Sequence, residues 1–402
     1  MFGVIAIGHL LVHEPLIFLN YVKYPGMDYE DFFLASKNIT HTRSPYDIPG
    51  DRYVTTPIPA IMNIPLTFLG FQRARTILFV LIPLSVAFSF WMASSLYPFS
   101  LWERNIVLLA GFVSMLLGYP FYFLIERGNI DGWVMLFLTA GLFVYQKWEN
   151  KWGSGLLFAL AIMFKAYPIL LFIPLVLYRK WPWLLWVCFW LLILMIISFP
   201  WIGEYYSVLH SRAQGFRFDE NGSLIATVAL LVIFLGFLNV SIASTGIVFA
   251  PFIAAVVYGI LISIVIYVDY KQSKRKKFDI SVVMMYFPFM VALPKTVYPY
   301  SLVICMLLLP MVVYLWKKSI RKYQRIWLAA ILLGVSLMQW QAIALNKLTQ
   351  NILAHLIPGL GLLIVMIGIS AYKMVSLRMT PLEGFHGTTP FISTLFPRSE
   401  SR

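Results

Sequence analysis

Charge is what this sequence has least of. Only 12% of its 402 residues are Asp, Glu, Lys or Arg, and 60% are hydrophobic, with a mean hydropathy of +0.80. Soluble domains carry about 25% charged and roughly 45–50% apolar residues, so an ordinary soluble fold is excluded. Cysteine is nearly missing. Cys188 and Cys305 both lie inside apolar runs, which argues against a disulfide framework. There is no Walker-type glycine loop, no HExxH, no GxSxG and no Cys/His cluster. An ATP-driven pump, a zinc protease and a serine hydrolase therefore lose support.

What is present is a succession of long apolar runs. A hydrocarbon layer about 30 Å thick takes roughly 20 helical residues to cross, and the runs read as spans near 2–21, 74–96, 105–124, 132–146, 153–166, 167–178, 182–201, 247–268, 279–294, 301–316, 326–345 and 353–372. The fold class expected is all-α, a polytopic transmembrane bundle of about 12 spans with helical, partly re-entrant outer loops. The spans near 153–166 and 167–178 are short and meet at FKAYP, as a hairpin that does not cross fully would. The first span lacks a basic leader and reads as a retained signal anchor. It carries His9 and His13 at i and i+4, and with no third ligand apparent these read as buried structural histidines. Residues 1–378 form one membrane domain, and 379–402 a loosely ordered cytoplasmic tail.

The formal net charge of +14 comes from position rather than from a nucleic-acid groove. Lys147, Lys151, Arg179, Lys180, Lys271, Lys274 to Lys277 (with Arg275 and Lys276), Lys317, Lys318, Arg321, Lys322, Arg325, Lys373 and Arg378 crowd short loops, which the positive-inside rule keeps cytoplasmic. The partners implied are membrane lipids, not nucleic acid. Twelve crossings put every such cluster on one side, provided that 224–237 is an interfacial helix of the outer loop 202–245. Asp28, Glu30, Asp31, Asp47, Asp51, Glu126, Asp131, Glu204, Asp219 and Glu220 then fall on the opposite side. The long loop 22–73 among them is the expected catalytic loop, since long loops without a functional reason are uncommon.

Several constellations there can carry chemistry. In PGMDYEDFFLAS, residues 25–36, the spacing predicts a short helix with Asp28 and Asp31 on one face, at the helix head where carboxylates are favoured. They are either a solvated helix start or a general base acting on a hydroxyl. FLIERGNIDGW, residues 123–133, joins two apolar helices through a hairpin holding Arg127, Asn129 and Asp131. Its arginine suits a phosphate by a bidentate fork, and the plain reading is a polar turn built on Gly128 and Asn129. Lys165, in MFKAYPILLF, is a charge at membrane depth, which reads either as functional or as snorkelling to the surface. ALPKTVYPYS, residues 292–301, adds Lys295, Tyr298 and Tyr300 at an outer helix end. RFDENGSL supplies Asp219, Glu220 and Asn221.

In this order the pieces resemble the integral-membrane glycosyltransferases of the GT-C class, and most closely glycosyltransferase family 87. DYEDFFLA resembles the segment that opens on the family's aspartate, which falls on Asp28. SPYD and TTPIPAIMNIPL resemble its next two motifs, and Tyr53, just before the second, joins the substrate-binding set. RGNID is similar to its GQxN turn, Lys165 to Pro168 to its KxxP, and Asn221 to Leu224 to its NxSL. The motif near the ninth span is kept at Pro294 and Tyr300, while Val297 and Pro299 replace its Trp and His. The resemblance implies transfer of mannose or another hexose from a polyprenyl-phosphate-sugar donor to a lipid or glycan acceptor, on the non-cytoplasmic face and with inversion. Asp28 is then the general base, and Asp31, Tyr53, Arg127, Asn129, Asp131, Lys165, Lys295, Tyr298 and Tyr300 bind substrate. No cofactor is implied; a divalent metal on the paired acids is the less favoured option. The alternative class is a transporter or flippase of lipid-linked sugars, which calls for interrupted helices at the membrane midplane. A non-catalytic assembly subunit, or a polymerase or ligase of lipid-linked glycans, is a further reading.

Overall fold

The computed structural model describes residues 26–49, 53–213, 227–228, 240–274, 278–293, 299–319, 321–339 and 347–378. The first expected span, most of 224–237, the tail 379–402, the RFDENGSL stretch and both Lys295 and Tyr298 lie outside the described residues. Among the described residues every regular element is a helix. A chain this apolar has that option in lipid, because helices satisfy their own backbone groups.

The stretch between residues 26 and 67 supplies two helices of its own. In α1 (Met27–Thr40) the buried positions Tyr29, Phe32, Phe33 and Ser36 recur at helical spacing, with Asp28 and Glu30 in the first turn and Lys37 in the last. That charge order suits the helix dipole. The next helix, α2 (Pro57–Thr67), starts on a proline, where the missing N–H costs nothing. The two pack together through the bond from Asn63 Nδ2 to Ser36 Oγ at 3.1 Å, and Phe32 meets Tyr53, just before α2, edge to face at 5.5 Å.

Five helices are long and apolar enough to cross a bilayer: Phe71–Ser95, Trp181–Ser211, Phe249–Ser273, Ser301–Lys318 and Leu356–Leu377. Leu101–Leu116 and Pro120–Arg127, bent by 66° where they meet, make a sixth if they form one broken span. By length and composition, then, five or six of the twelve expected crossings stand out among the described residues. The expected spans near 153–166, 167–178 and 279–294 appear as the shorter apolar helices Lys151–Phe164, Tyr167–Leu177 and Ile280–Ala292. At 14 residues Lys151–Phe164 rises only about 21 Å, short of the roughly 30 Å of hydrocarbon.

The remaining labels follow chain order: α3 (Phe71–Ser95), α4 (Leu101–Leu117), α5 (Tyr119–Arg127), α6 (Asp131–Trp148), α7 (Lys151–Phe164), α8 (Phe172–Leu177), α9 (Trp181–Ser198), α10 (Ile202–Ala213), α11 (Val240–Ser273), α12 (Ile280–Met284), α13 (Phe287–Ala292), α14 (Leu308–Lys318), α15 (Lys322–Met338) and α16 (Lys347–Arg378). α6 packs on both α3 and α7, and α15 lies along α16. There Gly334 and Gly361 let the backbones touch: a Cβ on either would come within 2.6 Å of the other's carbonyl oxygen. Small residues at such crossings are how membrane helices approach closely.

Candidate functional site

The site grows from the turn between α5 and α6. α5 ends on Gly128, whose φ of +65° is left-handed, a conformation that glycine adopts without steric cost. A side chain there would also collide with Tyr29, whose Cβ lies 2.9 Å from the position a Gly128 Cβ would take. The turn and the head of α1 are therefore in direct contact. The Gly26 N–H donates to the Glu126 carbonyl at 2.6 Å, and Gly26 is itself left-handed with φ +84°. Two glycines, 102 positions apart by their numbers, allow this approach.

That approach brings Asp28 onto the hairpin. Its Oδ1 meets Arg127 Nη2 at 2.7 Å, and its Oδ2 accepts from Asn129 Nδ2 at 2.7 Å. Charge-assisted bonds of this length are the strong kind. The Arg127 guanidinium also lies over the Phe123 ring at 5.6 Å. Asn129 turns its other end back, Oδ1 accepting from the Asp131 N–H at 3.1 Å. Asp131 has no exposed surface. Its Oδ1 accepts from Tyr167 Oη at 3.1 Å and lies 3.7 Å from Lys165 Nζ, and its Oδ2 accepts from Ser301 Oγ. A continuous polar chain thus runs Arg127, Asp28, Asn129, Asp131, Lys165. The Lys165 side chain is 25% exposed, the most open of the cations in it.

The other expected residues are placed differently. Asp31 is half-buried one turn further along α1. Tyr53 is 2% exposed, and its hydroxyl donates to the Thr56 carbonyl at 2.7 Å and accepts from the Ala60 N–H at 3.3 Å. It is therefore spent on fixing the start of α2. Burial pushes the Tyr53 hydroxyl upward, and it pushes Tyr29 up to about 12, with the bond to Asn63 opposing. Both stay neutral in any physiological buffer. Tyr300 is the second residue of a 3₁₀ segment, Pro299–Leu307. That segment reaches the site through Ser301.

Sequence reading did not single out Tyr167, Ser301 or Arg75. The first two sit inside stretches already of interest, KAYP and YPYS, and neither carries a charge to draw attention. Arg75 is 5% exposed, and a Gly26 Cβ would come within 2.9 Å of its Cδ; its guanidinium lies 5.6 Å and 6.0 Å from the Phe71 and Phe79 rings. Nothing in its sequence neighbourhood signals that burial. Among the described residues no group of three or more His, Cys, Asp or Glu side chains is arranged to hold a metal ion. Charge at the two central carboxylates is met by Arg127 and Lys165.

Residues 53–294 match glycosyltransferase family 87. The chain is also 30% identical over 160 residues to GPI mannosyltransferase 1 of Eremothecium gossypii, a match covering 40% of this chain and 38% of that protein. It is 27% identical over 158 residues to GPI mannosyltransferase 1 of Saccharomyces cerevisiae, covering 39% and 37%. The matched stretch is less than two-fifths of each of these relatives.

Proposed function

The chain belongs to glycosyltransferase family 87, and on that premise we propose that it is a membrane glycosyltransferase that moves a mannosyl group from a polyprenyl-phosphate donor to a lipid or glycan hydroxyl on the non-cytoplasmic face. The sugar is suggested by the relatives, which are mannosyltransferases by name. The acceptor oxygen attacks the anomeric carbon from the side opposite the phosphate, and the carbon–oxygen bond to that phosphate breaks. Asp28 takes the acceptor proton, and the polyprenyl phosphate leaves with the bonding pair. Configuration inverts. A donor already carried on lipid needs no nucleotide-binding domain, and no resident metal enters the proposal.

The observation that supports this reading best is the grip on Asp28. Arg127 and Asn129 each hold one of its oxygens, so the carboxylate is oriented before substrate arrives. Its side chain is 15% exposed, enough to meet a hydroxyl. With Arg127 engaged on Asp28, the cation placed to meet the departing phosphate is Lys165, in the electrostatic role that is often the largest in catalysis.

Asp28→Asn tests the assignment. Incubated with radiolabelled polyprenyl-phosphate mannose, the purified variant is expected to lose transfer by about 10²–10⁴-fold, the usual contribution of a general base. Melting is followed in parallel, because the substitution removes the Arg127–Asp28 ion pair. Near-normal transfer by a folded Asp28→Asn protein would sink the assignment.

A further inference from the structure

At the far end of α6 from Asp131, 18 residues or about 27 Å away, the described basic loops surround a cleft of about 510 Å³ that the sugar-transfer reading does not use. Among the described residues four charged side chains face it: Lys151, Lys180, Glu149 and Asp279. None of the four is in an ion pair with a described residue. Lys180 Nζ lies 4.7 Å over the Phe278 ring, and Asp279 spends one oxygen on the Ser281 N–H at 2.8 Å as the cap of α12. Aromatic faces complete the lining, with Tyr145 and Tyr314 among them.

Its level in the membrane follows from the tryptophans around it. Trp102, Trp148, Trp152 and Trp181 start or end helices at this end of the bundle and are 73%, 68%, 47% and 48% exposed. Exposed tryptophan gathers at the headgroup layer. The cleft therefore opens among lipid headgroups, with two positive and two negative groups among its described residues. An anionic headgroup would meet the two lysines but face two carboxylates. A headgroup with a phosphate and an ammonium matches all four. A primary ammonium has N–H donors for Glu149 and Asp279, whereas a trimethylated one has none. Rings nearby favour the cation as well.

We propose that this cleft binds the headgroup of a zwitterionic aminophospholipid, the phosphate taken by Lys151 and Lys180 and the ammonium by Glu149 and Asp279. The site is independent of the sugar-transfer reading.

The test uses the full chain in detergent, with phosphatidylethanolamine, phosphatidylglycerol and phosphatidylcholine of matched acyl chains added together and adducts counted by native mass spectrometry. Phosphatidylethanolamine is expected to lead each of the others by about tenfold, as one charge-assisted hydrogen bond suffices to give. Glu149→Gln with Asp279→Asn should erase its lead over phosphatidylglycerol. Asparagine still caps α12, and unchanged sugar transfer reports the fold; Glu149→Gln alone, at an exposed position, is the fallback and should reduce the lead. Lys151→Gln with Lys180→Gln should lower all three adducts. Two results overturn the proposal. One is an unchanged phosphatidylethanolamine lead in the folded acidic variants. The other is equally effective occupancy by glycerophosphoethanolamine, which would make this a site for a soluble phosphoester.

Discussion

An ionised carboxylate with no exposed surface needs partners for its oxygens, because burying a charge unpaired costs several kcal/mol. Asp131 draws those partners from two places in the chain, Tyr167 and Lys165 from the segment after α7 and Ser301 from the 3₁₀ segment before α14, while the Asn129 side chain accepts from its backbone N–H. Asp131 therefore fixes where Lys165 can be, and Lys165 is the more open of the two. On the proposed mechanism, Lys165→Met is expected to lower turnover by about 10²–10³, the range for removing one group that stabilises developing charge. Lys165→Arg should recover part of it. A steady-state assay that finds both variants equal to wild type would remove Lys165 from the chemistry. At this scale the sequence was informative where charge stood out: Asp28 in a cluster of acids, Arg127 in a polar hairpin between apolar helices, and Lys165 alone in an apolar stretch. It was silent on Tyr167 and Ser301, since a hydroxyl in an apolar stretch looks the same whether it serves a carboxylate or its own helix.

Elements position these residues through backbone contact more than through side chains. The hairpin from α5 to α6 meets the head of α1 where Gly26 and Gly128 both take positive φ. Replacing Gly128 by Ala would force a side chain into an unfavourable backbone conformation and against Tyr29. A cost of about 1–3 kcal/mol is expected from the conformation alone. Because Arg127 and Asn129 flank the glycine, the same change should misplace the grip on Asp28. Gly128→Ala is thus expected to lower both the melting temperature in detergent and the rate of transfer, and a variant with both unchanged would show that the close approach is dispensable. The helix over residues 27–40 was legible from apolar spacing and from the acids at its head, and the α5–α6 turn from Gly128 and Asn129. The 66° bend before Pro120 was not, because an apolar run reads as continuous whether or not it changes direction. The short helices at 151–164 and 167–177 were legible as a pair too short to cross fully, because the apolar run breaks at Lys165 and Pro168.

For the molecule as a whole, the polar residues separate into two ends. Asp28, Asn129 and Asp131 lie at one end of α6. At the other, Tyr145 packs on Phe278 and Phe278 on Tyr178, with ring centroids 6.2 Å and 5.6 Å apart. This second end is also tied together by a buried ion pair: Lys373 on α16 with Asp269 on α11, the aspartate also accepting from Tyr178 at 3.4 Å and Tyr286 at 3.0 Å. Removing one partner of such a pair typically costs about 3–5 kcal/mol. Lys373→Met should accordingly lower the apparent melting temperature, and adding Asp269→Asn should restore most of it; no recovery in the double variant would contradict this account. Sidedness is testable too. With Cys188 replaced, since it is exposed whereas Cys305 is buried, cysteines placed at Lys37 and Lys271 should react with a membrane-impermeant reagent from opposite faces. Labelling of both from one face would refute the topology read from the loop charges.

Ser301 follows Asp131 by 170 positions, and this has a consequence for biosynthesis. At about 5–20 residues per second, a ribosome takes on the order of ten to thirty seconds to make the intervening chain. During that interval Asp131 is already translated and lacks its last partner. A nascent protein halted before the 3₁₀ segment would hold an incompletely enclosed carboxylate next to the Asp28 grip, so the site can mature only after most of the polypeptide has been made.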